Sequence, residues 1–173
     1  MRCFFALEPD SQTKLAIDQW RNRYLPVIPN PVPVTNFHIT LAFLGQLTPS
    51  QLSVLNQAMD ELDSQPACSI ILNQLGYWPK PKALWLGTSQ IDEALSNLAE
   101  HLARTARRCH INIQKRSYLP HLTLYRKCQQ NPPAALVDPQ FHCRFNQFHL
   151  FESVSTQHGV SYQRRNSWAL YTH

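Results

Sequence analysis

Glycine is scarce in this sequence, which has four glycines in 173 residues. It contains neither the glycine-rich loop of P-loop NTPases nor the G-x-G-x-x-G turn of dinucleotide-binding folds. The G-x-S-x-G turn of serine hydrolases is also missing. These absences exclude three common enzyme classes on their sequence signals alone.

Long apolar runs and paired cysteines are missing as well. The five cysteines are widely spread and form no C-x-x-C pair, so we expect reduced thiols and neither a disulfide framework nor a zinc site. No stretch approaches the roughly 18 apolar residues of a membrane span. The short apolar run at the N-terminus turns acidic too soon for a signal peptide. We therefore expect a cytoplasmic protein without membrane contact.

What the sequence does have is a repeated tetrapeptide. His38-Ile39-Thr40-Leu41 has a near-copy in His121-Leu122-Thr123-Leu124. If each copy is an extended strand, the histidine and threonine share one face and the two aliphatic residues share the other. Each copy then packs one face on a core and presents an imidazole beside a hydroxyl on the other.

Two such strands facing one cleft would suit phosphodiester chemistry. One imidazole can remove a proton from the nucleophile while the other protonates the leaving oxygen, because the reference pKa of histidine is near ~6.5. Thr40 and Thr123 could donate hydrogen bonds to the non-bridging oxygens. Strict alternation places Tyr125 on the face of His121, and Arg126 lies at the strand end, where the chain can turn it to the cleft. A single H-x-T is more often structural than functional, but two copies in the same register favour function.

Metal binding is the competing interpretation of the histidines. Neither copy has a second histidine or a carboxylate at ligand spacing, and the remaining histidines form no tight cluster in the sequence. We therefore expect neither a catalytic metal nor another cofactor.

Positive charge is uneven around the second copy, and the formal net charge is +5. These positions permit a nucleic-acid partner, with ordinary surface charge as the alternative. The basic residues are Arg104, Arg107, Arg108, Lys115, Arg116, Arg126 and Lys127.

Hydrophobic periodicity and capping signals predict the elements. The predicted helices are Ser11–Tyr24 with Asp10 as N-cap, one that begins at Thr48 with a capping box, and one from about Ile91 to Arg108. The predicted strands are Met1–Leu7, Phe37–Phe43, Cys68–Leu75, Ala83–Gly87, Ile111–Ile113, Pro120–Tyr125, and strands near Phe141–Phe151 and Trp168–Tyr171, with residues 77–81 as a connector. This irregular order indicates an α+β fold with mainly antiparallel sheet.

The sequence resembles the 2H phosphoesterase superfamily, and within it the bacterial RNA 2′,3′-cyclic phosphodiesterases, or LigT-type 2′-5′ RNA ligases. The matching stretches occur in family order along nearly the whole chain. They are Arg2–Leu7, Asn36–Gly45, Leu84–Gly87 and Pro120–Arg126.

The resemblance implies a fold and an activity. The fold is one domain, residues 1–173, of two pseudo-symmetric lobes with mostly antiparallel sheets, outer helices and a central cleft. The lobes carry the motifs His38–Leu41 and His121–Leu124 on neighbouring central strands. The implied reaction is metal-independent hydrolysis of an RNA-terminal 2′,3′-cyclic phosphate to a 2′-phosphomonoester by a monomer that needs no protein partner.

The resemblance also implies roles for residues. His38 would be the proton donor and His121 the proton acceptor, while Thr40 and Thr123 would hold the phosphate. The expected substrate contacts are Arg126, Tyr125 and Phe43.

Two alternatives stay open at this point. The same residues could join RNA ends through a 2′-5′ bond by the reverse reaction, or the chain could be a non-catalytic RNA- or nucleotide-binding module. The substrate could be an RNA end or a small cyclic nucleotide.

Overall fold

The chain forms an α+β fold in a computed structural model that describes residues 1–172. In chain order the elements are β1 (Arg2–Leu7), α1 (Ser11–Tyr24), a 3₁₀ turn (Val34–Asn36), β2 (Ile39–Gln46), α2 (Pro49–Asp60), β3 (Cys68–Leu72), β4 (Gln74–Trp78), β5 (Ala83–Gly87), α3 (Glu93–Arg108), β6 (Leu122–Tyr125), β7 (Phe141–Phe145), β8 (Gln147–Thr156) and β9 (Gly159–Ala169). Over the described range no helix is both long and apolar enough to cross a membrane.

The strands pair into a four-stranded sheet of order β2-β1-β8-β9, a three-stranded sheet of order β4-β5-β6, and the pair β3-β7. Neighbouring strands in all three sheets are antiparallel. The predicted α+β class with mainly antiparallel sheet is therefore confirmed.

The first two helices begin where local capping signals predicted. Asp10 Oδ1 accepts a hydrogen bond from Thr13 N at 2.7 Å at the start of α1. At α2, Thr48 and Gln51 each bond the backbone N–H of the other, which is the predicted capping box. The third helix begins at Glu93, two residues later than expected, because the Asp92 carboxylate accepts from Ser69 N and ties the chain to β3.

Outside the two motifs, the predicted strands differ from the observed ones in three regions. The segment predicted as Cys68–Leu75 divides into β3 and β4, and β4 continues through Trp78 where a connector was expected. The predicted strand Ile111–Ile113 is irregular chain, although Ile111 is buried in the core. The apolar residues of this segment are explained by burial in the core and not by pairing with another strand. In the C-terminal region β8 and β9 form a hairpin that extends to Thr156 and Gly159, well beyond the predicted ends.

One strand–helix–strand arrangement occurs twice. In the first unit, β1 leads into α1 and then β2, which pairs antiparallel with β1. In the second, β5 leads into α3 and then β6, which pairs antiparallel with β5. The last strand of each unit carries one copy of the repeated motif. A single large hydrophobic cluster includes buried residues of both units, among them Phe5, Ile39, Leu84 and Leu122.

Candidate active site

Both histidines lie immediately before their motif strands instead of within them. His38 Nδ1 is 2.8 Å from the carbonyl oxygen of Asn36, and His121 Nδ1 is 2.9 Å from that of Leu119. A carbonyl oxygen only accepts, so Nδ1–H donates in each case and Nε2 is left for chemistry. The two units therefore hold their imidazoles by the same bond to the residue two positions earlier.

A β-bulge follows the threonine of the first motif. Thr40 lies opposite Ala6, whereas Ala42 lies opposite Phe5, so Leu41 has no partner across the β1–β2 ladder. An extra residue of this kind shifts the alternation of faces along a strand. Both Leu41 and Ala42 are consequently buried on the core side.

The shifted alternation brings Phe43 to the side of Thr40. Phe43 lies opposite Phe4, which is on the same face of β1 as Ala6, the partner of Thr40. Its side chain is 60% exposed, and its ring centroid lies 6.3 Å from that of Phe4. The residue named from the resemblance as a substrate contact is thus an accessible aromatic ring on the face of the first motif.

The second motif has the same bulge at the equivalent position, and it corrects one prediction. Thr123 lies opposite Trp85 and Tyr125 lies opposite Leu84, so Leu124 is the extra residue. Tyr125 was expected on the face of His121, but it is only 3% exposed and belongs to the core. The bulge turns its side chain inward, away from the face of His121.

Arg126 connects the two motifs. It occupies the position in the second unit that Phe43 occupies in the first, five residues after the histidine. Its Nη2 donates to Tyr162 Oη at 3.1 Å. The Tyr162 ring meets the His38 ring edge-on, with centroids 4.9 Å apart. Tyr162 therefore links the cation beside one motif to the imidazole of the other.

The surroundings of His38 favour its neutral form. Burial is the main cause that lowers the pKa of His38 to about 4, against the opposing effect of the Asn36 hydrogen bond. The positive charges of Arg126, His121 and Lys14 lower it further. These contributions also mean that Arg126 and His121 lie close enough to act on His38.

His121 lies against two tryptophans. Its ring centroid is 4.6 Å from that of Trp78 and 6.0 Å from that of Trp85. Burial lowers the pKa of His121, the hydrogen bond to Leu119 raises it, and the charge of Arg126 lowers it again. Both imidazoles are therefore held below the ordinary histidine pKa for the same two reasons, desolvation and the guanidinium of Arg126.

The two threonines differ in their contacts. Thr40 is 8% exposed, and its Oγ1 lies 2.9 Å from His38 Nε2. Since Nδ1 carries the hydrogen of neutral His38, the Thr40 hydroxyl donates to Nε2 in that form. Thr123 is half-buried on β6, opposite Trp85 of β5.

The motif strands are edge strands, which differs from the neighbouring central strands that the resemblance implied. β2 ends the order of the four-stranded sheet and β6 ends that of the three-stranded sheet. Single hydrogen bonds connect the chain around the two motifs. Tyr118 Oη, in the segment before β6, donates to the Thr40 carbonyl of β2 at 3.0 Å. Val32 N, in the loop before β2, donates to the Leu124 carbonyl of β6 at 2.8 Å.

Among the predicted basic residues, Arg126 is the one whose charge acts on the histidines. Arg104 forms an ion pair with Glu100, Arg107 lies 3.5 Å from the Ile113 carbonyl, and Arg116 bonds Gln114. Over residues 1–172 no group of three or more His, Cys, Asp or Glu side chains is placed to hold a metal ion.

The sequence model of the 2′-5′ RNA ligase superfamily matches residues 9–138, which include both motifs. The chain belongs to this superfamily. The resemblance drawn from the paired motifs is thereby confirmed.

Other members of the superfamily match over nearly the whole chain. The RNA 2′,3′-cyclic phosphodiesterase of Escherichia coli K12 is 28% identical over 172 residues, covering 98% of this chain and 96% of that protein. The protein of the same name from Archaeoglobus fulgidus is 25% identical over 180 residues, covering 94% of this chain and 97% of the other. A crystal structure of E. coli LigT complexed with 3′-AMP superposes with a TM-score of 0.88 at 28% identity, covering 98% of this chain and 97% of that one.

Two aromatic side chains that contact the histidines were not predicted from the sequence. Tyr162 lies on a strand predicted too short, and Trp78 lies in a segment predicted as a connector. The sequence did contain a signal for Trp78, because alternation with a period of two residues places it on the same strand face as Gln74 and Gly76. Nothing local in the sequence indicates that Tyr162 reaches His38, because that contact depends on the pairing of β9 with β8.

Proposed function

We propose that this protein hydrolyses the 2′,3′-cyclic phosphate at an RNA end to a 2′-phosphomonoester, with His38 and His121 as a general acid/base pair and without a metal. The observation that carries the proposal is the duplicated placement of the imidazoles, each fixed through Nδ1 with Arg126 acting on both. The names of the E. coli and A. fulgidus relatives support the reaction type. We also infer that residues 1–173 are one domain whose two strand–helix–strand units are its lobes.

In this mechanism His121 Nε2 takes a proton from water as the water oxygen attacks phosphorus. The bond from phosphorus to O3′ breaks, and protonated His38 gives its Nε2 proton to that oxygen. The direction of these roles follows the family resemblance. Arg126 neutralises charge on the non-bridging oxygens, where a fixed cation is most effective in a partly desolvated site. Exchange with solvent then returns the proton from His121 to the bulk and restores the proton on His38.

The Thr40 hydroxyl responds to the proton on His38. In neutral His38 the hydroxyl donates to Nε2. When Nε2 is protonated it can no longer accept, so the hydroxyl hydrogen is released and can donate to a phosphate oxygen. Thr40 therefore offers its donor to the substrate in the protonation state in which His38 can act as the acid. Thr123 supplies the corresponding hydroxyl from the other unit.

Product analysis tests the proposal directly. An RNA oligonucleotide ending in a 2′,3′-cyclic phosphate is expected to yield a 2′-phosphomonoester at the same rate with and without EDTA, because the proton transfers use imidazoles. Loss of activity in EDTA with recovery on adding zinc or magnesium would overturn the metal-free mechanism. A joined product from two RNA ends would favour the reverse reaction, and tight binding without any product would favour a binding module.

The pH dependence should be displaced towards acid. Turnover needs one imidazole protonated and the other neutral, and that form is most populated between the two pKa values. Both pKa values are lowered, so each imidazole holds its proton only at pH values below its ordinary range. The maximum of kcat/KM is therefore expected below about pH 6.5, which is the reference pKa of histidine. The profile is measured with a mononucleotide 2′,3′-cyclic phosphate as substrate. An optimum above about pH 7 would contradict this assignment.

Removing the charge of Arg126 tests the cause of this pH profile. Arg126 lowers the pKa of both histidines, so Arg126→Gln should move the maximum of kcat/KM to higher pH while lowering its height. The matched variant Arg23→Gln removes an exposed cation on α1 that contacts Tyr24. It should leave both the position and the height of the maximum unchanged.

A further inference from the structure

Beside His121, the three-stranded sheet carries an aromatic surface. The Trp78 and Trp85 rings lie with centroids 4.7 Å apart and planes tilted by 38°. A side chain at Gly76 or Gly87 would collide with the Trp85 ring, since a Cβ there would come within 2.2 Å or 2.5 Å of its atoms. The two glycines therefore let the indole lie flat against the backbone of β4 and β5.

Stability alone gives a poor account of this arrangement. Trp85 Nε1 is buried and has no hydrogen-bond partner within residues 1–172. A buried donor without an acceptor is unfavourable, and a purely apolar ring would avoid that cost. Both tryptophans are nevertheless only half-buried, so they keep part of their surface open next to the proposed base.

The chain segments that contain the strands of this sheet have basic residues and no acidic ones. The sequence has no Asp or Glu between Asp63 and Asp92, nor between Glu100 and Asp138, and these intervals contain all three strands of the sheet. Lys80 and Lys82 are exposed in the turn that follows Trp78.

That turn is held in place by its neighbours. Pro79 and Pro81 restrict its backbone, and Lys82 Nζ donates to Gln129 Oε1 at 3.0 Å. Cys128 N donates to the Lys82 carbonyl at 2.9 Å. None of the ion pairs formed by the described residues includes Lys80 or Lys82.

We propose that Trp78 and Trp85 form a stacking site for the base of the nucleotide that precedes the terminal, cyclic-phosphate nucleotide, with Lys80 and Lys82 on its backbone phosphate. Aromatic rings beside unpaired cations are the means by which proteins hold single-stranded nucleic acid without reading its sequence. The inference rests on the proposed function and adds to it a binding site for the nucleotide before the reacting one, which a free cyclic mononucleotide cannot occupy. Phe43, on β2, then contacts the base of the terminal nucleotide.

The test compares two substrates with the same reacting group. One is a mononucleotide 2′,3′-cyclic phosphate, and the other is a short RNA that ends in it. Base–aromatic stacking predicts that Trp78→Ala lowers the ratio of kcat/KM for RNA over mononucleotide by roughly 5- to 150-fold. Trp78→Phe should restore much of the ratio because it keeps an aromatic ring.

An abasic substrate locates the stacked base. Removing the base next to the terminal nucleotide should lower the wild-type ratio as much as Trp78→Ala does, and should have no further effect in the variant. Equal losses on both substrates would overturn the proposal, because Trp78 would then only support His121. An abasic effect that persists undiminished in Trp78→Ala would overturn it as well.

The lysines give a second test that does not alter the rings. In the double variant Lys80→Gln/Lys82→Gln, RNA binding should depend less on salt. The slope of log affinity against log salt concentration should become shallower by roughly 0.7 for each phosphate that the lysines no longer neutralise. Arg23→Gln should leave the slope unchanged, and an unaltered slope in the lysine variant would remove these residues from the site. Binding is measured with a non-reacting RNA that ends in a 2′-phosphate. Failure of the proposed function would appear separately, as no hydrolysis of either substrate by the wild type.

Discussion

Replacing either His38 or His121 with alanine is expected to lower kcat by roughly 100- to 10,000-fold on a cyclic-phosphate substrate. Each imidazole supplies one of the two proton transfers, and the Nδ1 bonds to Asn36 and Leu119 leave Nε2 of each ring available for this role. Steady-state kinetics on the mononucleotide substrate give the loss without any contribution from RNA binding.

The double variant distinguishes a pair from two independent residues. If the histidines act as one unit, His38→Ala combined with His121→Ala should lose far less than the product of the single losses. His101→Ala is the matched control, because His101 is exposed on α3 and lies outside the site. Thermal unfolding of each variant reports whether the fold is retained. Strictly multiplicative losses, or wild-type turnover in either single variant, would end the pairing hypothesis.

Local signals in the sequence predicted the elements that depend on local chemistry. The starts of α1 and α2 follow from Asp10 and from the Thr48–Gln51 pair, whose hydrogen bonds involve residues three apart. The two H-x-T motifs were visible because the same four positions recur. Their common histidine geometry follows from that repetition.

The two β-bulges could not be predicted from the alternation of residues along the sequence. A bulge is a property of two paired strands, and the residue that is skipped depends on the register with β1 or β5. Strict alternation from His121 therefore placed Tyr125 on the wrong face. The same shift accounts for Phe43, which alternation from His38 alone would have turned towards the core.

Contacts between elements that are far apart along the chain could not be predicted from the sequence either. Asn36 Nδ2 donates to the Val160 carbonyl at 2.8 Å, and Tyr162, two residues further along β9, reaches His38 and Arg126. The residues of this hairpin arm are mostly polar, so no apolar pattern marked it as strand. Its position against the first motif depends on the β1–β8 pairing, in which Arg2 lies opposite Ser153 from the far end of the chain.

Arg126→Ala is expected to lower kcat/KM by roughly 100- to 1,000-fold, the loss typical when a fixed donor to developing oxyanion charge is removed. Tyr162→Phe should cost less, roughly 3- to 30-fold, since it removes only the hydroxyl that accepts from the guanidinium at 3.1 Å. The phenyl ring that remains can keep the contacts of Tyr162 with His38 and Phe4. Tyr24→Phe, which alters a tyrosine at the end of α1, is the matched control and should have no effect.

The two changes should not be additive. If Tyr162 acts by orienting Arg126, then adding Tyr162→Phe to Arg126→Ala should cost nothing more, because the guanidinium that the hydroxyl holds is already gone. The double variant, measured by kcat/KM on the mononucleotide substrate, isolates this coupling. If Tyr162→Phe causes the same loss with and without Arg126, the hydroxyl acts on the substrate or on His38 directly, and the contact with Arg126 has no part in catalysis.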